Sequence, residues 1–221
     1  MSASILPQSS LFLGIIPALI VLYFGLKRFE GYFLEKTMFI MFVIGIIAGF
    51  LTVIIEGLTE LPREFVSIVI FVIIFSFLEQ IIKTMILNLK RFQDKPATIF
   101  YGFSLGLGFG SIYPLFLMIS LSSELEFYVY ITILVGSIGL ILLHGLTGLL
   151  IGYGIYKGKL MNYYIFGVII LIIANILIKI QYIQLSVFFI GIFFYFFVKI
   201  RYLDMLNTQF EKRKRSKQTQ P

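Results

Sequence analysis

Apolar runs of helix-spanning length follow one another through this chain with only short polar gaps between them. They cover approximately Ser10–Gly25, Thr37–Ile55, Phe65–Leu87, Ala97–Leu121, Phe127–Tyr156, Met161–Ile178 and Ile183–Val198. About 20 apolar residues in helical form cross the hydrocarbon core of a bilayer. The pattern therefore predicts an all-α, polytopic transmembrane bundle of about seven spans. The fifth run is too long for an upright helix and should tilt, kink or overhang. The first is short and extends back toward Ile5. The gaps leave no room for a soluble domain. Residues 1–200 are read as one transmembrane domain and 201–221 as a basic tail.

Composition points to the same solvent. The 221 residues are 59% hydrophobic and 13% charged, with a mean hydropathy of +1.00. Soluble domains are about a quarter charged, and a core of this size would leave too much apolar surface in water. The expected surroundings are the lipid bilayer and the expected location is the cell membrane, as a multi-pass protein. The chain has no cysteine, which excludes disulfides and thiolate sites, and one histidine, which excludes a multi-histidine metal site within one chain. The stretch "MSASILPQSS" has no basic n-region, so no cleaved signal peptide is expected.

Lysine and arginine set the orientation. Lys27, Arg28 and Lys36 follow the first run, Lys90, Arg91 and Lys95 the third, and Lys157 and Lys159 the fifth. Lys199, Arg201 and a cluster from Lys212 to Lys217 follow the seventh. The alternate loops hold Arg63, no basic residue, and Lys179. Basic loops stay on the cytoplasmic side. The N-terminus is therefore expected outside and the C-terminus in the cytoplasm. The net charge of +7 belongs largely to this topogenic pattern, and the tail can also touch anionic headgroups. The tail's basic cluster is short and lacks interleaved aromatics, so no nucleic-acid partner is expected.

The chemistry lies in the few polar residues inside the apolar runs. "FVIIFSFLEQIIKTMILNL" (71–89) carries Glu79, Gln80 and Lys83. A buried charge in the membrane is costly, so such a residue faces the protein interior and marks a functional site by default. Lys83 lies one turn after Glu79, so the two could pair as a structural lock. At 1.5 Å per residue Glu79 lies roughly 12 Å, and His144 roughly 16 Å, from the inner ends of their spans. Ser104, Gly108 and Ser111 form a stripe on span four at roughly 10–21 Å. Three helices thus place polar groups at similar depth, which predicts a shared polar cavity. Glu79 is expected within reach of His144. Lys83 is expected nearer the rim, snorkelling toward the headgroups. Gly102, Gly106, Gly108 and Gly110 on span four, and Gly148 and Gly152 on span five, predict close helix packing. Pro114 predicts a bend in span four, because the carbonyl of Gly110 loses its helical partner.

In order, the segments "IIPALIVLYFGLKRFEGYFLEK", "FVIGIIAGFLTVIIEGL", "EQIIK", "YGFSLGLGFGSIYP" and "HGLTGLLIGYG" resemble the PrsW-type intramembrane metalloproteases, relatives of the CAAX prenyl proteases. The similarity runs from about Leu11 to Lys157. It implies Glu79, Lys83 and His144 as catalytic candidates, with Glu79 and His144 as metal ligands and zinc as the cofactor. The departures fall on the chemistry. Gln80 stands where the family pattern has a second acid, and the acid expected at or near Tyr113 is missing. The later histidine helix has no counterpart. Catalytic zinc takes three protein ligands plus water, and a base must accept that water's proton. Three readings follow. The first is a degenerate scaffold, a pseudoenzyme or complex subunit that binds other transmembrane proteins or segments. The second is an active intramembrane metallopeptidase with a divergent site and a transmembrane substrate. The third is a small transporter or channel using Glu79.

The absence of native cysteine makes topology directly measurable. Thr59→Cys should react with a membrane-impermeant maleimide in intact cells, and Ser216→Cys only after permeabilisation. The reverse pattern would overturn the orientation.

Overall fold

The computed structural model describes residues 6–59, 64–120, 127–179 and 184–198. Arg63, Glu60, Glu124, Glu126 and the basic tail of 201–221 lie outside the described residues. Among the described residues the regular structure is helical: α1 (Leu6–Leu26), a 3-10 turn (Lys27–Phe29), α2 (Glu35–Leu58), α3 (Phe65–Leu87), α4 (Ala97–Gly110), α5 (Tyr113–Ser120), α6 (Phe127–Tyr156), α7 (Leu160–Lys179) and α8 (Gln184–Val198). Lipid offers the backbone no hydrogen bonds, so a spanning segment must satisfy its own, and the helix does so.

Among the described residues, six segments are long and apolar enough to cross a membrane. They are α1 through α3, the combined α4–α5 stretch, α6 and α7. Helix α8 has 15 described residues, short for a crossing of about 20. The long run over Phe127–Tyr156 forms one 30-residue helix. The run containing Pro114 is broken. Helix α4 ends at Gly110, and α5 begins at Tyr113 after the turn of Ser111 and Ile112. Proline has no N–H to give to Gly110. Helix α6 ends in a Schellman closure. Gly158 adopts φ +65°, Lys159 N–H donates to the Gly154 carbonyl at 2.8 Å, and Gly158 N–H donates to that of Ile155 at 3.2 Å.

Two segments form the centre. In the stretch Ala97–Phe116, 89% of residues are buried, and in Leu134–Tyr156, 83%; the figure is 28% for α3 and for Leu160–Leu177 of α7. Helix α4 lies between α6 and α2, and α1, α3, α7 and α8 surround them. Glycine makes the central contacts possible. A methyl on Gly102 would strike the carbonyl of Gly148, and one on Gly148 would strike that of Gly102. Gly106 lies against the His144 carbonyl, Gly110 against Ile141 and His144, and Gly152 against the Thr98 carbonyl. On its other side α4 meets α2, with Gly108 against the Phe42 carbonyl and Gly45 and Gly49 against those of Leu105 and Phe109.

The outer helices turn apolar rows outward. On α3, Val66, Ile70, Ile74, Phe77, Ile81 and Met85 are exposed, and on α7, Ile165, Ile169 and Ile173. This surface has the chemistry of a lipid contact, and the polar side chains gather inside. The molecule is an integral membrane helical bundle.

Gly106→Leu and Gly108→Leu should each sharply reduce the yield of monodisperse protein in detergent, because overpacking a filled contact costs about 1–3 kcal/mol or more. The lipid-facing change Ile47→Leu should have little effect. Normal yield and melting temperature for both glycine variants would show that α4 does not lie backbone-to-backbone with its neighbours.

Candidate functional site

Helix α3 divides its faces cleanly. Val72, Phe75, Ser76, Glu79, Gln80, Lys83 and Leu87 are buried, the i, i+3, i+4, i+7 pattern of one helical face. The acid, amide and amine therefore enter the bundle while the opposite row meets lipid. Facing them is α6, where His144 and Thr147 are fully buried. Helix α7 borders the same space through Gly167 and Asn175, and the α4–α5 break borders it through Phe109 and Tyr113.

The contacts differ from the sequence-based expectation in three respects. Lys83 does not reach the rim. It is 0% exposed, its Nζ lies 2.9 Å from His144 Nδ1, and it donates to Thr147 Oγ1 at 3.1 Å. The same Nζ sits 4.8 Å from the centre of the Phe109 ring. Because Lys83 belongs to the inward row of α3, its flexible chain finds polar partners across the interface instead of running along a lipid face. Second, the hydrogen bond to Glu79 comes from Tyr113, whose hydroxyl donates to Oε1. The link to the imidazole runs through the Tyr113 ring, which stacks on His144 with centroids 4.9 Å apart. Phe109, one turn earlier, also stacks on His144, at 5.2 Å. Third, the stripe of Ser104, Gly108 and Ser111 faces away from this cluster. Ser104 donates to the Met38 carbonyl of α2 at 2.7 Å, Gly108 abuts Phe42, and Ser111 bonds back to the Gly108 carbonyl at 2.7 Å. The sequence identified helices that do meet at the site, but assigned the wrong face of α4.

Several contributors were missed. Tyr113 enters the sequence reading only as a position where the resemblance would expect an acid; its place one turn after Phe109 is the available signal. Thr147 lies three residues after His144, hence on the same face. It donates to the His144 carbonyl at 3.1 Å while accepting from Lys83. Gln80 donates to the Gly167 carbonyl at 3.5 Å, and Asn175 donates to Ser76 Oγ at 3.3 Å. Asn175 stands out in the sequence as an amide inside an apolar run.

Charge and tautomer follow from the donor inventory. An ammonium only donates, so with Lys83 charged, His144 Nδ1 accepts and the imidazole carries its proton on Nε2. Glu79 and Lys83 attract each other, so the cluster can hold one negative and one positive charge with no net charge. Glu79 Oε2, Gln80 Oε1, Thr84 Oγ1 and His144 Nε2 are buried without a hydrogen-bond partner among the described residues.

The described residues do not by themselves compose a catalytic zinc centre. No group of three His, Cys, Asp or Glu side chains comes together among the described residues, whereas catalytic zinc takes three protein ligands. Glu79 and His144 supply two ligand atoms, and the lysine nitrogen rests against one imidazole nitrogen. Comparison of the chain with protein-family models, with characterised proteins and with solved structures finds no match in any of the three.

Glu79 and Lys83 act on each other through charge, with no direct ion-pair contact between them; removing one of two compensating buried charges leaves the other unbalanced, whereas replacing both can be nearly neutral. Lys83→Met and Glu79→Gln should therefore each lower the melting temperature in detergent, and the double variant should regain much of the loss. Additive losses in the double variant would show that the two charges do not compensate each other. Tyr113→Phe should cost about 1–3 kcal/mol by stranding a carboxylate oxygen.

Proposed function

We propose that this chain is a non-catalytic membrane protein on a PrsW-like scaffold, which acts by binding transmembrane segments of other proteins as a subunit of a complex. The observation that carries this reading is Lys83 Nζ 2.9 Å from His144 Nδ1, fully buried. A hydrolytic centre needs a water, an electrophile to polarise it and a base to take its proton. Here the amine already rests on one imidazole nitrogen. Tyr113 already bonds the carboxylate, and neutral Gln80 is no base. The contacts these side chains make tie α3, α5 and α6 together, which suits a retained scaffold better than a working centre. The helices that remain would hold a membrane segment without cutting it.

A second reading, transport of protons or a cation through Glu79, draws support from a different observation. Glu79 Oε2 and His144 Nε2 are buried and unpartnered, and intramembrane carboxylates and imidazoles are common relay groups. An active metallopeptidase would need a third ligand from a partner chain.

The three readings separate on the purified protein. The non-catalytic scaffold predicts far less than stoichiometric zinc, no cleavage of transmembrane segments, and capture of a membrane protein by photocrosslinkers placed on the bundle in native membranes. Stoichiometric zinc that disappears in Glu79→Ala would establish the metallopeptidase instead. Proton or cation flux in liposomes, abolished by Glu79→Gln in a folded variant, would establish the transporter.

A further inference from the structure

A second site lies apart from the buried cluster, at the end of the bundle where α1, α2, α3 and α4 exchange chain direction. The turn region between Leu26 and Glu35 and the loop between Leu87 and Ala97 come together there. They border an open cavity of about 450 Å³ whose lining includes Tyr32, Leu34, Thr37, Arg91, Lys95 and Tyr101.

The cavity's chemistry is that of an anion site. Its lining includes two cationic residues, Arg91 and Lys95, and three that carry hydroxyls, Tyr32, Thr37 and Tyr101. No acidic side chain lines it, although Glu30, Glu35 and Asp94 lie in the same loops. The guanidinium of Arg91 is held 4.5 Å over the Phe92 ring, which orients its planar fork. Such a fork matches phosphate oxygens in pairs, while lysine adds a compact charge. Tyr101 accepts the Leu34 N–H at 3.1 Å, so its own hydroxyl proton is available to a ligand.

The position indicates which phosphate. Four spans end within a few residues of the cavity, which places it at headgroup depth. Leu34 lines it yet is 69% exposed. From Thr37 the next turn of α2 leads to Ile40, then Val43 and Ile47, all exposed and apolar. A phosphate held in the cavity would leave acyl chains continuous with this row. Basic pockets between membrane helices at the headgroup level are suited to anionic lipid heads. We propose that this cavity binds the phosphate of an anionic phospholipid in the leaflet at the Arg91 end of the bundle, with Arg91 and Lys95 as its charge-recognition residues.

The test uses the full chain in nanodiscs and follows melting temperature as phosphatidylglycerol replaces phosphatidylcholine, with inorganic phosphate in phosphatidylcholine discs as a separate arm. Phosphatidylglycerol should raise the melting temperature. Arg91→Ala/Lys95→Ala should weaken the apparent lipid affinity by about thirtyfold. Lys27→Ala/Lys90→Ala, which removes two cations outside the cavity, should retain most of the effect. Equal losses in both double variants would reduce the effect to diffuse surface charge and overturn the proposal. Equal stabilisation by inorganic phosphate alone would overturn the lipid as ligand and leave a soluble phosphate. Should Arg91→Ala/Lys95→Ala not fold, a photoreactive phosphatidylglycerol on the wild-type protein decides. Labelling of Tyr32, Thr37 or Tyr101 supports the site, and labelling only elsewhere refutes it.

Discussion

The approach of α4 to α6, backbone against backbone, is the constraint on which the rest of the bundle depends. Between lipid-immersed helices no hydrophobic force draws one to another, so close packing must supply the attraction. Gly102 and Gly148 meet reciprocally, and Gly106 rests on the carbonyl of His144 itself. The glycine row thus does more than join two helices. It fixes the height and rotation of the only imidazole in the chain, and presents Phe109 and Tyr113 to its ring. On the opposite side Gly108 meets α2 in the same way. Helix α4 is confined on two sides, and the polar cluster takes its geometry from that confinement.

The cluster shows how a bilayer alters the balance between polar groups. In water, Lys83 could be solvated anywhere on a surface. Inside α3's inward row it has only what neighbouring helices present, and it takes an imidazole nitrogen, a threonine hydroxyl and an aromatic face. Glu79 takes a tyrosine hydroxyl. Each contact ties one helix to another. Burial of these groups is tolerable because they meet across helices, and this makes the arrangement of α3, α5, α6 and α7 specific.

Much of this was legible in the sequence because apolar run length and the cost of intramembrane charge are strong physical signals. The spans from α1 to α7 appear near their expected bounds, and Glu79, Lys83 and His144 do converge. What was not legible follows from rotation and reach. A stripe at Ser104, Gly108 and Ser111 has the same spacing as one at Gly106, Gly110 and Tyr113, and composition alone does not say which faces α6. Lysine's long chain can snorkel or fold inward with equal ease, and only the neighbouring helix decides. Tyr113 was hidden for another reason. In a chain with 13 tyrosines and 25 phenylalanines, one aromatic in an apolar run does not stand out as a polar group.

That break links distant parts of the protein. Gly14 of α1 lies against the Ser111 carbonyl and the Pro114 ring, at the corner where α4 gives way to α5. Two residues after Ser111, the hydroxyl of Tyr113 holds the Glu79 carboxylate. The corner is therefore a fulcrum, with α1 pressing on one side and the buried acid tethered on the other. The packing of the first helix and the tether of the buried carboxylate are thus built on the same turn, Gly14 on one side of it and Glu79 on the other.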